Sequence, residues 1–156
     1  MTQYVYIASP MKLPVGSFGD KPISADKPNV YESELDFTSL YFENNYDDER
    51  KTRFSYSPHF SFKHQVSVAS NYIPLAHELH RKRHKSTIPF EDKCMKLLYS
   101  YLEEAIHASG RIEYFTSLNG QEHLPLSNRK SVHWNEIKDP YDLVLNDLEL
   151  WEMTIY

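Results

Sequence analysis

From Phe60 to Val68 the chain reads Phe-Ser-Phe-Lys-His-Gln-Val-Ser-Val, with a bulky residue at every second position. Only an extended strand, whose side chains alternate between two faces, collects Phe60, Phe62, His64, Val66 and Val68 on one side. The pattern predicts a half-buried strand. A different period governs the stretch from Pro89 to Ser109. There Phe90, Cys94, Leu97, Leu98, Tyr101, Ala105 and Ile106 recur at three- and four-residue spacing, and Lys93, Lys96, Ser100, Glu103, Glu104 and His107 fall opposite. That is the apolar stripe of an amphipathic helix. Its ends agree: Pro89 suits the first turn, Glu91 and Asp92 oppose the positive end of the dipole, and Gly110 suits a left-handed residue after the last turn.

The other elements follow from shorter signals. Tyr4 to Ala8 forms a β-prone run that Ser9-Pro10 stops. Pro10, Pro14, Gly16, Gly19, Pro22 and Pro28 then punctuate a long loop. The aromatic stretch from Val30 to Tyr46 fits either a helical turn or a short strand, and a short helix over 32–42 is the preferred reading. Asn44 to Arg50 is a polar turn, and Phe54-Ser55-Tyr56 runs into the alternating segment, so that Phe54 to Val68 is expected as one strand of the sheet with an interruption at Pro58. Arg111 to Thr116 reads as a strand broken at the turn dipeptide Asn119-Gly120. Another strand is expected at Ser131 to Trp134. Asp139-Pro140 predicts a cap and first residue of a short helix reaching Asn146, before a last strand from Leu148 to Tyr156. The expected architecture is α+β, a mainly antiparallel sheet covered on one face by one long helix over about 89–109, in a single domain of residues 1–156. Its central packing proposal sets the side chains of residues 60–68 against the helix stripe.

Charge narrows the range of partners. The chain has 22 acids against 17 bases, a formal charge of −5, which disfavours nucleic acid or an anionic membrane as the main target. Acids gather from Glu43 to Glu49 and from Glu136 to Glu152, whereas Arg81-Lys82-Arg83-His84-Lys85 is a short basic run. Aromatic residues make up 14% of the chain, and such rings serve both cores and protein-binding surfaces. The one cysteine, Cys94, falls on the helix stripe, so it is expected to be a buried, inert thiol and no bridge within the chain is possible. With no charged leader at the start and no apolar run near the ~20 residues of a membrane span, the expectation is a cytoplasmic protein without a membrane partner.

The candidate chemistry is scattered. His77, His80 and His84 have spacings that share one helical face, so three imidazoles could hold zinc; the flanking Arg81, Lys82 and Arg83 would repel a cation, and a solvated basic connection is the plainer reading. Arg81, Lys82, Arg83 and Lys85 form a candidate binding patch for phosphate or an acidic partner. His64 falls in phase with the apolar residues of its strand, and His59 flanks it. Each is either structural or, beside a carboxylate, a general acid/base, the unperturbed imidazole titrating near ~6.5. Gly16-Ser17-Phe18-Gly19 lacks the pattern of a nucleotide-binding loop. Tyr6-Ile7-Ala8-Ser9-Pro10-Met11 resembles the first strand of nucleoside deoxyribosyltransferase-like proteins, with Ser9 where that family has glycine. The resemblance covers six residues, and no catalytic residue is carried over from it.

With no catalytic or cofactor motif, and no cofactor expected, two function classes stand. The first is a small interaction protein of immunity or inhibitor type, working through an acidic, aromatic-rich surface on a protein partner. The second is a small-ligand binder or enzyme with a pocket between the sheet and the Pro10 to Pro28 loop. There His59 or His64 would act as acid/base, and Arg53 or the Arg81 to Lys85 patch would hold an anionic group.

Overall fold

In a computed structural model, residues 2–69, 71–80 and 85–156 are described. In chain order the elements are β1 (Gln3–Ser9), β2 (Gly16–Phe18), α1 (Glu34–Phe37), β3 (Leu40–Asn44), β4 (Tyr46–Asp47), β5 (Thr52–Arg53), β6 (His64–Ala69), α2 (Ile88–Ser109), β7 (Arg111–Leu118), β8 (Asn128–His133) and β9 (Glu149–Thr154). Seven strands form one sheet in the order β2-β3-β6-β1-β7-β9-β8, while β4 and β5 form a separate two-stranded ribbon. Within the large sheet β8 and β9 pair in parallel and the other pairs run antiparallel. The fold is α+β, as the sequence pattern predicts, and the alternating run is unlike a doubly wound parallel sheet.

Helix α2 lies over one face of the sheet, where the core gathers Val5, Ile7, Leu40, Phe42, Val66, Val68, Ile112, Tyr114 and Met153. The helix buries Cys94, Met95, Leu98, Tyr101, Leu102, Ala105 and Ile106. The stripe is thus rotated slightly from the expected one: Met95 and Leu102 join it, and Leu97 moves to its margin. Leu97 meets the loop at Gly19, whose φ of +98° suits glycine and where any Cβ would clash with the Leu97 Cδ1. Tyr101 stacks on Phe42 with ring centroids 3.9 Å apart, which ties the helix to β3. Gly110 closes the helix at φ +81°, its N–H donating to the Ile106 carbonyl at 2.7 Å. Among the described residues no helix is long and apolar enough to cross a membrane.

Val66 and Val68 do face the helix, but the strand expected from Phe54 to Val68 starts only at His64. Residues 60–63 are irregular because a buried carboxylate on β7 takes their backbone. Glu113 accepts the Ser61 N–H at 2.8 Å and the Phe62 N–H at 3.0 Å. Phe60 turns to the opposite face of the sheet, edge-on to Phe115 at 6.0 Å. Nor is the strand half-buried, since Gln65 and Ser67, which alternate with the valines, are buried as well. The expected helix over 32–42 shrinks to α1, capped by Ser33. Beyond it Leu40 and Phe42 point inward and Tyr41 outward, because pairing with β2 and β6 outweighs the local helical tendency. The helix expected after Pro140 is a 3-10 turn, Pro140–Leu143, closed by reciprocal bonds between Asp139 and Asp142.

Loops cover the face of the sheet away from α2. Tyr6, Phe115 and Leu150 form a second apolar cluster there, packed by Tyr4, Tyr56, Phe60, Leu126 and Leu148. Two hydrogen bonds tie the covering loops to each other: Ser57 Oγ donates to the Glu122 carbonyl at 2.7 Å, and His59 Nε2 meets the Leu124 carbonyl at 2.7 Å.

Candidate functional site

The site begins with buried amides that hold the chain between β3 and β6 in shape. Asn45 is fully buried; its Nδ2 donates to the carbonyls of Phe54 and Lys63, and its Oδ1 accepts the Gln65 N–H at 3.2 Å. Gln65 completes the frame, accepting the Tyr56 N–H at 2.7 Å and donating to Ser55 Oγ at 2.9 Å and the Phe62 carbonyl at 2.8 Å. Every polar atom of the two side chains is engaged, so burial carries little penalty and the 45–63 excursion is held firmly. A further clamp lies nearby. Tyr6 donates its hydroxyl to Glu122 at 2.6 Å, and burial together with that carboxylate raises the Tyr6 pKa above the ordinary phenol range. Burial pushes the Glu122 carboxyl up, but bonds from Tyr6 and from the Glu122 and Gly120 amides outweigh it, leaving a net lowering.

On that frame stands a broad groove of about 490 Å³ along the outer face of β3 and the β4–β5 ribbon. Its apolar lining is Val15, Tyr41, Tyr46, Phe54 and Tyr56, and its acidic lining is Glu43, Asp47 and Asp48. Tyr41 is 59% exposed, Val15 47% and Phe54 46%, a cluster of large side chains left in water side by side. Tyr56 forms the inner wall. Its hydroxyl donates to the Asn44 carbonyl at 2.7 Å and its ring meets Phe54 edge-on at 5.0 Å. Asp47 caps the ribbon's turn by accepting the Glu49 and Arg50 amides and lies 3.8 Å from the Arg50 Nε. Among the described residues the Glu43 and Asp48 carboxylates have no ion-pair partner.

A smaller cleft of about 250 Å³ opens beside it, lined by Lys12, Leu13, Asn44, Asn45, Tyr46, Arg53, His64, Gln65 and Val66. The Arg53 Nη1 lies 3.2 Å from His64 Nδ1. A guanidinium can only donate, so Nδ1 accepts and the ring's proton sits on Nε2. Partial burial, then Arg53, Lys63 and Lys12, lower the His64 pKa below the usual imidazole value, which agrees with a neutral ring. Among the described residues no carboxylate lines this cleft.

The two histidines singled out from the sequence thus sit in different surroundings. His59 is half-buried, its ring edge-on to Phe115 at 5.9 Å, and Nε2–H donates to a carbonyl that cannot itself donate. His77 is exposed on the 3-10 turn Ala76–His80. Arg81, Lys82, Arg83 and His84 lie outside the described residues, and Lys85 is exposed in the turn before α2. Among the described residues no group of three or more histidine, cysteine, aspartate or glutamate side chains could hold a metal ion. Cys94 is buried at 1% exposure. No sequence signal marks Tyr41 and Lys12 as lining residues, or Asn45, Gln65 and Glu113 as the frame. The acidic run from Glu43 to Glu49 was the visible part of the groove. No family model matches the chain, and neither a curated protein nor a solved structure matches it.

Proposed function

We propose that this protein is an interaction module whose acidic, aromatic groove docks a partner through an arginine- or lysine-bearing segment, as an immunity or inhibitor-type protein would. One observation carries the reading: Tyr41, Tyr46 and Phe54 stand exposed together beside the Glu43 and Asp48 carboxylates. A cationic side chain lying over such rings gains from their negative faces and from the flanking carboxylates at once. The apolar part of a basic side chain would also cover ring surface that water now touches. The frame beneath is saturated with internal hydrogen bonds, so docking requires little ordering of the groove.

The test is capture from native lysate on four immobilised forms: wild type, Tyr41→Ala, Glu43→Lys, and Glu136→Lys, which makes the same charge change at an exposed site away from the groove. The reading expects a stoichiometric partner on wild type and Glu136→Lys, lost from Tyr41→Ala and Glu43→Lys. Cross-links should map a basic stretch of the partner to residues 41–56. Absence of a stoichiometric partner at both low and moderate salt, or its retention by both groove variants, would refute it.

A further inference from the structure

The cleft beside the groove has the opposite character. Lys12 comes from the stretch after β1, Arg53 from β5 and His64 from the start of β6, so three separate parts of the chain bring donors to one concavity on a molecule with a formal charge of −5. The floor adds no recognition of its own. The Asn45 and Gln65 amides there are spent on Phe54, Lys63, Ser55, Tyr56 and Phe62, and Leu13 and Val66 are apolar. An uncharged polyol would therefore find few free partners in the floor, whereas an anion meets an ammonium, a guanidinium fork and an imidazole N–H.

We infer that this cleft is a binding site for a small phosphate monoester, with Lys12, Arg53 and His64 Nε2–H holding the phosphoryl oxygens. Its volume of about 250 Å³ lies below the ~300–1,000 Å³ of drug-sized sites, which admits a phosphoryl group with a short organic tail. Arg53 is the principal ligand, because its planar fork can offer two parallel N–H bonds to one phosphoryl group. His64 senses occupancy. Burial lowers its pKa first, and the charged groups facing it, Arg53, Lys63 and Lys12, all cationic, lower it further. A bound dianion offsets that repulsion, so His64 takes up a proton more readily when the cleft is filled.

The test is an NMR titration of the intact labelled protein with inorganic phosphate and, separately, with glycerol 1-phosphate, chloride holding the ionic strength constant. The His64 ring signals should shift saturably with both phosphates and not with chloride, and the ring's titration midpoint should rise at saturation. Arg53→Ala and Lys12→Ala should each weaken binding by about tenfold or more while the amide spectra of α2 and the sheet stay in place. Saturation with glycerol 1-phosphate alone would still support a monoester site. Shifts that never saturate, that chloride reproduces, or that Arg53→Ala leaves unchanged would overturn it. None of the groove variants above alters Lys12, Arg53 or His64, so failure of one proposal leaves the other standing.

Discussion

Removing the Glu113 carboxylate should loosen the loop that carries Phe54 and Tyr56 without touching the helix. Glu113 is only 2% exposed, the third residue of β7. It accepts the Ser61 N–H at 2.8 and 3.2 Å, the Phe62 N–H at 3.0 Å and the Ser61 hydroxyl at 3.3 Å. Hydrogen bonds to a charged acceptor contribute about 1.5–3 kcal/mol each, but Ser61 is exposed, so water replaces part of what is lost. Glu113→Ala should therefore cost about 2–4 kcal/mol, which for a chain of this size lowers Tm by about 4–16 °C. Glu113→Gln keeps one acceptor oxygen and replaces the other with a donor facing donors, so it should fall between wild type and alanine. Calorimetry gives the stability, and hydrogen exchange gives the location: the amides of Ser61 and Phe62 should lose protection while those of α2 keep theirs. Wild-type Tm together with unchanged exchange at Ser61 and Phe62 would show that the carboxylate does not hold the loop.

Three further outcomes follow from the core and from titrating groups. Leu98, fully buried at the centre of the α2 stripe, should cost about 2–5 kcal/mol as Leu98→Ala, and Leu98→Asp should abolish the cooperative unfolding transition seen by circular dichroism. His64 should titrate below its ordinary value of about 6.5, the midpoint read from its ring carbon shifts. Because its folded pKa is depressed, its contribution to stability is complete above about pH 6.5 and is lost as pH falls through the folded midpoint, a dependence that His64→Gln should remove. Tyr6, Tyr101 and Tyr114 all have pKa values raised mainly by burial, so their stabilisation is complete below about pH 10 and is lost as pH rises further. Phenolate absorbance should show them ionising only with global unfolding, and a smooth titration of every tyrosine at the ordinary value would contradict their burial.

How much of this was legible in the chain depended on how local each cause was. The period, the proline and the glycine of α2 all lie within the helix, and the observed bounds Ile88–Ser109 sit one residue from the expected start. The stretch from Phe60 to Lys63 misled because its conformation is decided by Glu113, some fifty residues away in sequence, whose bonds to two loop amides outweigh an alternating pattern. The same holds for β3. Nothing in the sequence around Tyr41 announces that β2 and β6 will pair on either side of it, so an aromatic run for which a helix is the preferred reading forms a strand with Tyr41 facing outward. For the groove, the acids from Glu43 to Glu49 were visible, but which aromatics stand beside them depends on strand register. The cleft at His64 needed Lys12 and Arg53 to be brought together from separate strands and loops, which no spacing rule encodes.

Docking of a basic side chain in the groove of β3 and the β4–β5 ribbon is tested most directly by titrating the labelled protein with a tri-arginine peptide while following aromatic ring signals. Saturable shifts are expected at Tyr41, Tyr46, Phe54 and Tyr56, and they should vanish in the Glu43→Gln, Asp48→Asn double variant. Shifts of equal size at acids remote from the groove, such as Glu136 and Glu152, or aromatic signals that stay still throughout, would contradict it.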